Sequence, residues 1–223
     1  LQRRRRKTEA VAAVLLLLAL APLFLLIALG IWFADPGPVF FLAERSGVRG
    51  KRFRMFKFRT MRITSRPGSR VAGTRDPRIF AFGALLRKLK LDELPQLLNI
   101  IRGEMAFVGP RPEDPWFVDH VYTAENRETL EVPPGLTSPG TLYYYTHAEQ
   151  FLDEADTDAS YISGPLKIKL ALDREYVYKV SALYDLQLAL ATIWVLGCIV
   201  AGRRHFPEYS FEALSANGRC HNC

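Results

Sequence analysis

Two adjacent carboxylates, Asp92 and Glu93, sit in the run LDELPQLLNIIRGEMAFVGPRPE at positions 91–113. The spacing predicts a helix start there. Asp92 is a good N-cap, Pro95 falls in the first turn, Leu94, Leu97, Leu98 and Ile101 share an apolar face, and Gly103 is a plausible stop. The free N–H groups and positive dipole end of such a helix favour ionised carboxylates and welcome a phosphate. Side by side, two carboxylates can divide labour, one attacking phosphorus and the other holding a divalent cation. An acidic cap on an ordinary helix accounts for a bare Asp-Glu-x-Pro equally well, so the pair must be weighed with its surroundings.

Those surroundings are strongly basic. From position 45 to 62 come Arg45, Arg49, Lys51, Arg52, Arg54, Lys57, Arg59 and Arg62 with no acid among them. Arg66, Arg70, Arg75, Arg78, Arg87, Lys88 and Lys90 follow, and Asp76 is the one acid between them and Asp92. A carboxylate pair inside so much positive charge suits an anionic substrate, most simply a phosphate or diphosphate. Taken singly, most of these arginines read as solvated surface charge.

The elements that must position this chemistry begin at a membrane. Residues 10–34, AVAAVLLLLALAPLFLLIALGIWFA, carry no charge and are long enough to cross a bilayer as one helix. The run is too long for the apolar part of a secretory signal. Pro22 lies at its middle and predicts a bend. Both flanks are basic, Arg3 to Lys7 before and Arg45 to Arg62 after, and positive flanks stay cytoplasmic. A helix broken at Pro22 that enters one leaflet and returns satisfies both flanks, and this re-entrant hairpin is favoured over a straight span.

The remainder, 35–223, reads as one cytoplasmic domain packed on the membrane surface. The fold class expected is α+β: mainly helical, with a small antiparallel sheet, the N-terminal re-entrant helix and interfacial amphipathic helices. Asp35-Pro36-Gly37-Pro38 turns the chain out of the membrane segment. Val39 to Phe41 and Phe53 to Phe58 read as strands of a hairpin with Gly50 between them. The second strand alternates aromatic with basic residues, a pattern shared by RNA-binding strands and by half-buried strands with one wet basic face. Residues 64–77 read as a mobile loop, 79–90 and 166–180 as helices, and Val108 to Pro115 as a rigid turn. Residues 181–201 suit an interfacial helix anchored by Tyr184 and Trp194, with a buried core helix as the other reading. Residues 140–165 show no interpretable pattern.

The net charge of +7 over 223 residues admits nucleic acid or an anionic membrane as partners. Three cysteines do not make a disulfide framework: Cys198 reads as a buried small hydrophobe, and the lone Cys220/Cys223 pair as a disordered tail rather than a metal site.

Taken in order, Gly37-Pro38-Val39-Phe40-Phe41, Lys57-Phe58-Arg59-Thr60-Met61, Leu91-Asp92-Glu93-Leu94-Pro95-Gln96, Val108-Gly109-Pro110-Arg111-Pro112 and Pro134-Gly135-Leu136-Thr137 resemble the bacterial sugar transferases, the monotopic phosphoglycosyl transferases. The resemblance spans roughly residues 10–200. It implies transfer of a sugar 1-phosphate from a UDP-sugar to polyprenyl (undecaprenyl) phosphate at the cytoplasmic face of the bacterial inner membrane, the first membrane step of surface glycan assembly. It also implies that Asp92 is the nucleophile, expelling UMP and holding a covalent phosphosugar. Glu93 would help Asp92 hold Mg²⁺, and Lys57, Arg59, Arg87 and Arg111 would contact phosphate and nucleotide. Inner-membrane lipid is the expected partner, nucleic acid is not, and a homo-oligomer is allowed. Two features depart from the family pattern: Ala21 stands before Pro22 where many members have serine, and Ser138-Pro139-Gly140 and Tyr143-Tyr144-Tyr145 follow Gly135. Larger members carry further membrane helices and another domain upstream, so a minimal form is expected here. The competing function is a membrane-anchored, non-catalytic protein that binds nucleic acid or anionic lipid.

Overall fold

The N-terminal apolar run forms two helices, α1 (Gln2–Ala19) and α2 (Ala21–Ala34). Residues 6–19 and 21–34 meet at an angle of 62°. Pro22 sits in the first turn of α2, where its missing N–H costs no helical hydrogen bond, so the bend falls just before it. The computed structural model describes residues 2–63, 69–73, 76–148, 153, 155–203 and 206. The Cys220/Cys223 tail and much of the 64–77 loop, both singled out in the sequence, lie outside these residues.

The chain leaves α2 through Asp35 to Pro38 into a hairpin of β1 (Phe40–Ser46) and β2 (Arg52–Phe58), antiparallel in the register Phe40↔Phe58 to Ser46↔Arg52. Arg49 and Gly50 take positive φ at the turn, +55° and +74°. The expected small antiparallel sheet is therefore present, and β1 runs five residues beyond Phe41. Helix α3 (Ala81–Lys88), a 3-10 turn (Leu91–Gln96) and α4 (Leu97–Ile101) follow. A second, parallel pair joins β3 (Ala106–Val108) to β4 (Gly135–Thr137), a pairing that alternation alone did not reveal because each strand is three residues long. Helices α5 (Pro115–His120), α6 (Pro139–Tyr143), α7 (Thr157–Ser163), α8 (Pro165–Lys179) and α9 (Ala182–Val200) complete a mostly helical chain. Between α6 and α7 lies a single π-helical turn, Tyr144–Ala148, in the region that the sequence left unassigned.

The two N-terminal helices are seated on the rest of the chain. Ile27 and Ile31 of α2 are buried with Phe58, Phe80 and Leu86, and Ala13 of α1 is buried with Met55, Leu97 and Ile100. Their other faces are apolar and exposed, with Leu15, Leu18, Leu25, Leu26 and Phe33 all more than half accessible. Helix α9 repeats the arrangement. Tyr184, Leu188 and Val195 pack inward while Leu183, Leu186, Leu190 and Ile193 face out. It is also long and apolar enough to cross a membrane. Cys198 is only half-buried against the same core, less enclosed than the sequence suggested.

Close approach to Thr60 fixes α3. A Cβ at Gly83 would fall within 2.8 Å of the Thr60 Cα and closer still to its carbonyl oxygen. Gly83→Ala is expected to destabilise the protein by about 1–3 kcal/mol, read as a lower thermal midpoint, because backbone must shift to admit one methyl.

Candidate active site

Three segments converge on the Asp92–Glu93 pair. Strand β2 supplies Lys57, α3 supplies Arg87 in its last turn, and the Pro110-Arg111-Pro112 turn after β3 supplies Arg111. Buried Asn99 of α4 ties β2 down: its side chain accepts from Phe56 N (2.9 Å) and donates to Arg54 O (2.8 Å) and Glu104 Oε2 (2.7 Å). The turn carrying Arg111 depends on Gly109 and Gly135, whose backbones approach so closely that a Cβ at Gly109 would lie 3.1 Å from Gly135 N and nearer still to Pro133 O. Lys90 takes a left-handed conformation (φ +54°) and turns the chain into the 3-10 segment.

The helix-start expectation needs correction at Asp92. The turn begins two residues earlier, at Leu91 with Lys90 in the cap position, and Asp92 lies inside it without capping. Its carboxylate is buried, and among the described residues Oδ1 has no hydrogen-bond partner. Burial is the chief cause of its raised pKa; Lys57 opposes the shift most, Glu93 adds to it, and Lys90 and Arg87 oppose it further. Arg87 is left in a similar condition, its Nη1 buried and without a partner. A carboxylate oxygen and a guanidinium nitrogen, both buried, both without a partner among the described residues and within each other's field, suit a polar ligand that can bond to both.

Glu93 is the opposite case. Arg111 grips both its oxygens, with Nη1 at 2.8 Å from Oε2 and Nη2 on Oε1. Lys57 Nζ reaches Oε1 at 3.3 Å, and the Tyr145 hydroxyl donates to Oε2 at 3.3 Å. Burial alone would raise the Glu93 pKa, but Arg111 and then Lys57 outweigh it, and the group lies well below the usual carboxylate range. Burial in turn lowers the Lys57 pKa, with Glu93 resisting.

The sequence-selected residues therefore separate. Lys57 and Arg111 meet on Glu93, and the Arg87 charge reaches Asp92. Arg59, expected in the same pocket, is engaged elsewhere. Its guanidinium pairs with Asp35 and donates to the Asp35, Pro38 (2.6 Å) and Met61 (3.4 Å) carbonyls. Two residues beyond Lys57 the strand has ended, so Arg59 ties the exit turn of α2 to the sheet instead. The basic-aromatic alternation of β2 is also used internally. Met55 and Phe58 are buried, Arg52 pairs with Asp119 (3.0 Å), and Arg102 stands over the Phe56 ring. Sequence reasoning missed Tyr145 and Lys90, whose Nζ lies 4.1 Å from the Tyr145 ring centroid. The Tyr143–Tyr145 run was visible, but nothing in it marked which ring turns toward position 93.

The donor set suits a hard cation. Among the described residues no cluster of three or more His, Cys, Asp or Glu side chains could hold a metal alone. Asp92 Oδ1 does offer a buried open oxygen next to a second carboxylate. Mg²⁺ is commonly held by one or two carboxylates together with substrate phosphates, so the residues present fit it.

Comparison with known proteins agrees in extent. The family model described as bacterial sugar transferase matches residues 2–198. The chain is 38% identical over 207 residues to the exopolysaccharide production protein ExoY of Rhizobium meliloti, covering 85% of this chain and 83% of that one. It is 34% identical over 194 residues to the UDP-glucose:undecaprenyl-phosphate glucose-1-phosphate transferase of Xanthomonas campestris pv. campestris, covering 85% of this chain and 38% of the relative. Over 116 residues it is 40% identical to the UDP-N-acetylgalactosamine-undecaprenyl-phosphate N-acetylgalactosaminephosphotransferase of Aeromonas hydrophila, covering 52% and 27%. The chain thus spans well under half the length of some of its relatives and most of the length of others.

Proposed function

This chain belongs to the bacterial sugar transferase family, and from that membership and the site's geometry we propose that it moves a sugar 1-phosphate from a UDP-sugar to polyprenyl phosphate through a covalent intermediate on Asp92. The observation that carries this reading is the buried Asp92 carboxylate, its Oδ1 open, facing the charges of Lys57, Lys90 and Arg87.

In the first step an Asp92 oxygen attacks the sugar-proximal phosphorus; that P–O bond forms as the bond to the UMP oxygen breaks. In the second, an oxygen of the polyprenyl phosphate attacks the same phosphorus and the Asp92 carboxylate is regenerated. Carboxylate in and phosphate anion out require no proton transfer at the nucleophile, so the residues around it act mainly by position and charge. Arg87 and Lys57 stabilise the charge on the transferred phosphoryl group, and Arg111 is shared between Glu93 and the diphosphate. Glu93 and Asp92 would hold Mg²⁺, which when bound neutralises charge on the diphosphate. Names of relatives specify both UDP-glucose and UDP-N-acetylgalactosamine as donors, so the sugar is to be found with a panel of UDP-sugars.

The bilayer reading belongs to the same proposal. Within 1–34 the basic flank stays on the cytoplasmic face while the apolar run 10–34 enters one leaflet of the inner membrane and returns, and the domain 35–223 lies on the same face, with the exposed apolar side of α9 at the interface. The 62° bend and the apolar outer faces of α1 and α2 support it. Single cysteines at the exposed positions Lys7 and Lys51, placed in a chain freed of Cys198, Cys220 and Cys223, are expected to react with an impermeant thiol reagent from the same side of the membrane. Labelling from opposite sides would replace the hairpin with a span.

A further inference from the structure

Tyr145 reaches the site from a π-helical turn, a rare geometry that often accompanies function. An ionised carboxylate has about four lone-pair positions for donors. Glu93 has four donors on it already: the two Arg111 nitrogens, Lys57 Nζ and the Tyr145 hydroxyl. A divalent cation therefore has no open position on Glu93 until one donor leaves. Three of the four are cationic, and each adds the attraction of a full positive charge to its bond with the ionised carboxylate, which a hydroxyl does not. The Tyr145 hydroxyl is the neutral donor, and at 3.3 Å it makes a long bond.

We propose that Tyr145 is a positioning residue that occupies the cation's place on Glu93 in the ligand-free protein and yields it when the cation and diphosphate bind. The inference rests on the reading of Glu93 as a cation ligand. Lys90 over the Tyr145 ring limits the movement, so the hydroxyl swings off the carboxylate while the ring stays in the site. The exchange holds Glu93 in its productive orientation before any ligand arrives, at the expense of cation affinity.

The test uses the whole chain in lipid nanodiscs, with UDP at a fixed saturating concentration as the diphosphate probe and Mg²⁺ titrated, followed by the thermal midpoint. Tyr145→Phe keeps the ring and removes the hydroxyl. It is expected to lower the Mg²⁺ concentration at half-effect by about three- to tenfold, the worth of one ordinary hydrogen bond, because at 3.3 Å this one is too long for the full strength of a bond to a charged group. The same shift should appear in the Mg²⁺ requirement of UMP release, with KM for the UDP-sugar little changed. Tyr143→Phe, the neighbouring control, should leave the half-effect concentration where it is. A normal Mg²⁺ response in both wild type and Tyr145→Phe, with the same half-effect concentration, would overturn this inference alone and leave a structural role. A higher half-effect concentration in Tyr145→Phe would also overturn it, placing the hydroxyl on the bound ligand. No Mg²⁺ response in the wild type would overturn the cation role of Glu93 and this inference together.

Discussion

Asp92→Asn is expected to reduce UMP release by about 10⁴-fold or more while raising the protein's thermal midpoint. The first effect follows from losing the attacking oxygen anion. The second follows from the direction of the Asp92 pKa, which burial, before any neighbouring charge, holds above the ordinary aspartate value of 3.8. The folded state binds this proton more tightly than the unfolded chain. Stability therefore falls as pH rises from the unfolded pKa through the folded one, and the deficit persists at neutral pH. Asparagine carries no ionisation penalty, so the gain in thermal midpoint should be present at pH 7 and vanish below about pH 3.8, where the wild-type carboxyl is protonated in both states. For the same reason the acid limb of kcat/KM in the wild type should lie above the usual aspartate range. Retained turnover in Asp92→Asn would remove Asp92 as nucleophile.

Arg111→Ala is expected to act in the opposite sense on stability. Glu93 and Arg111 side chains are 12% and 16% exposed, and removing the guanidinium strands a buried carboxylate with Lys57 and a tyrosine. Breaking such a pair costs about 3–5 kcal/mol, and the site should lose about 10²–10³ in kcat with it. The Glu93 pKa is depressed in the fold, so this stabilisation is present above the unfolded value of 4.5 and lost as pH falls toward the folded one. The deficit of the mutant, measured by denaturation, should therefore be largest near neutrality and shrink in acid. Arg111→Lys restores charge without the two-pronged grip and should recover stability only in part. An unchanged midpoint in Arg111→Ala would mean that Glu93 does not depend on this pair.

Much of this site was legible because its chemistry is carried by short runs. Asp92, Glu93 and Arg111 stand in a stretch of 23 residues whose acids and proline turn are plain in the letters (91–113). The bend before Pro22 and the hairpin around Gly50 were legible because proline and glycine act locally. What was missed depends on tertiary geometry. Lys57 and Arg59 are two residues apart and of like charge, yet strand β2 ends at Phe58 and Arg59 turns toward Asp35 instead. Lys90 reads in the sequence as one more base in a basic field, although its left-handed backbone starts the turn that carries Asp92 and Glu93. Tyr145 reaches Glu93 across 52 residues of chain, a separation at which no local pattern operates. The parallel β3–β4 pair went unseen for the same reason, since strands of three residues carry no periodicity.

In the proposed mechanism phosphorus is transferred to Asp92 before the lipid acceptor is engaged. The direct measurement is a single-turnover assay with UDP-sugar and Mg²⁺ but no polyprenyl phosphate, once the panel has identified the sugar. A burst of about one UMP per active chain is expected, with the phosphosugar retained on the protein at Asp92 and released when polyprenyl phosphate is added. UMP that appears only after the acceptor is added, with no adduct on the chain, would contradict it and require direct transfer between the two substrates.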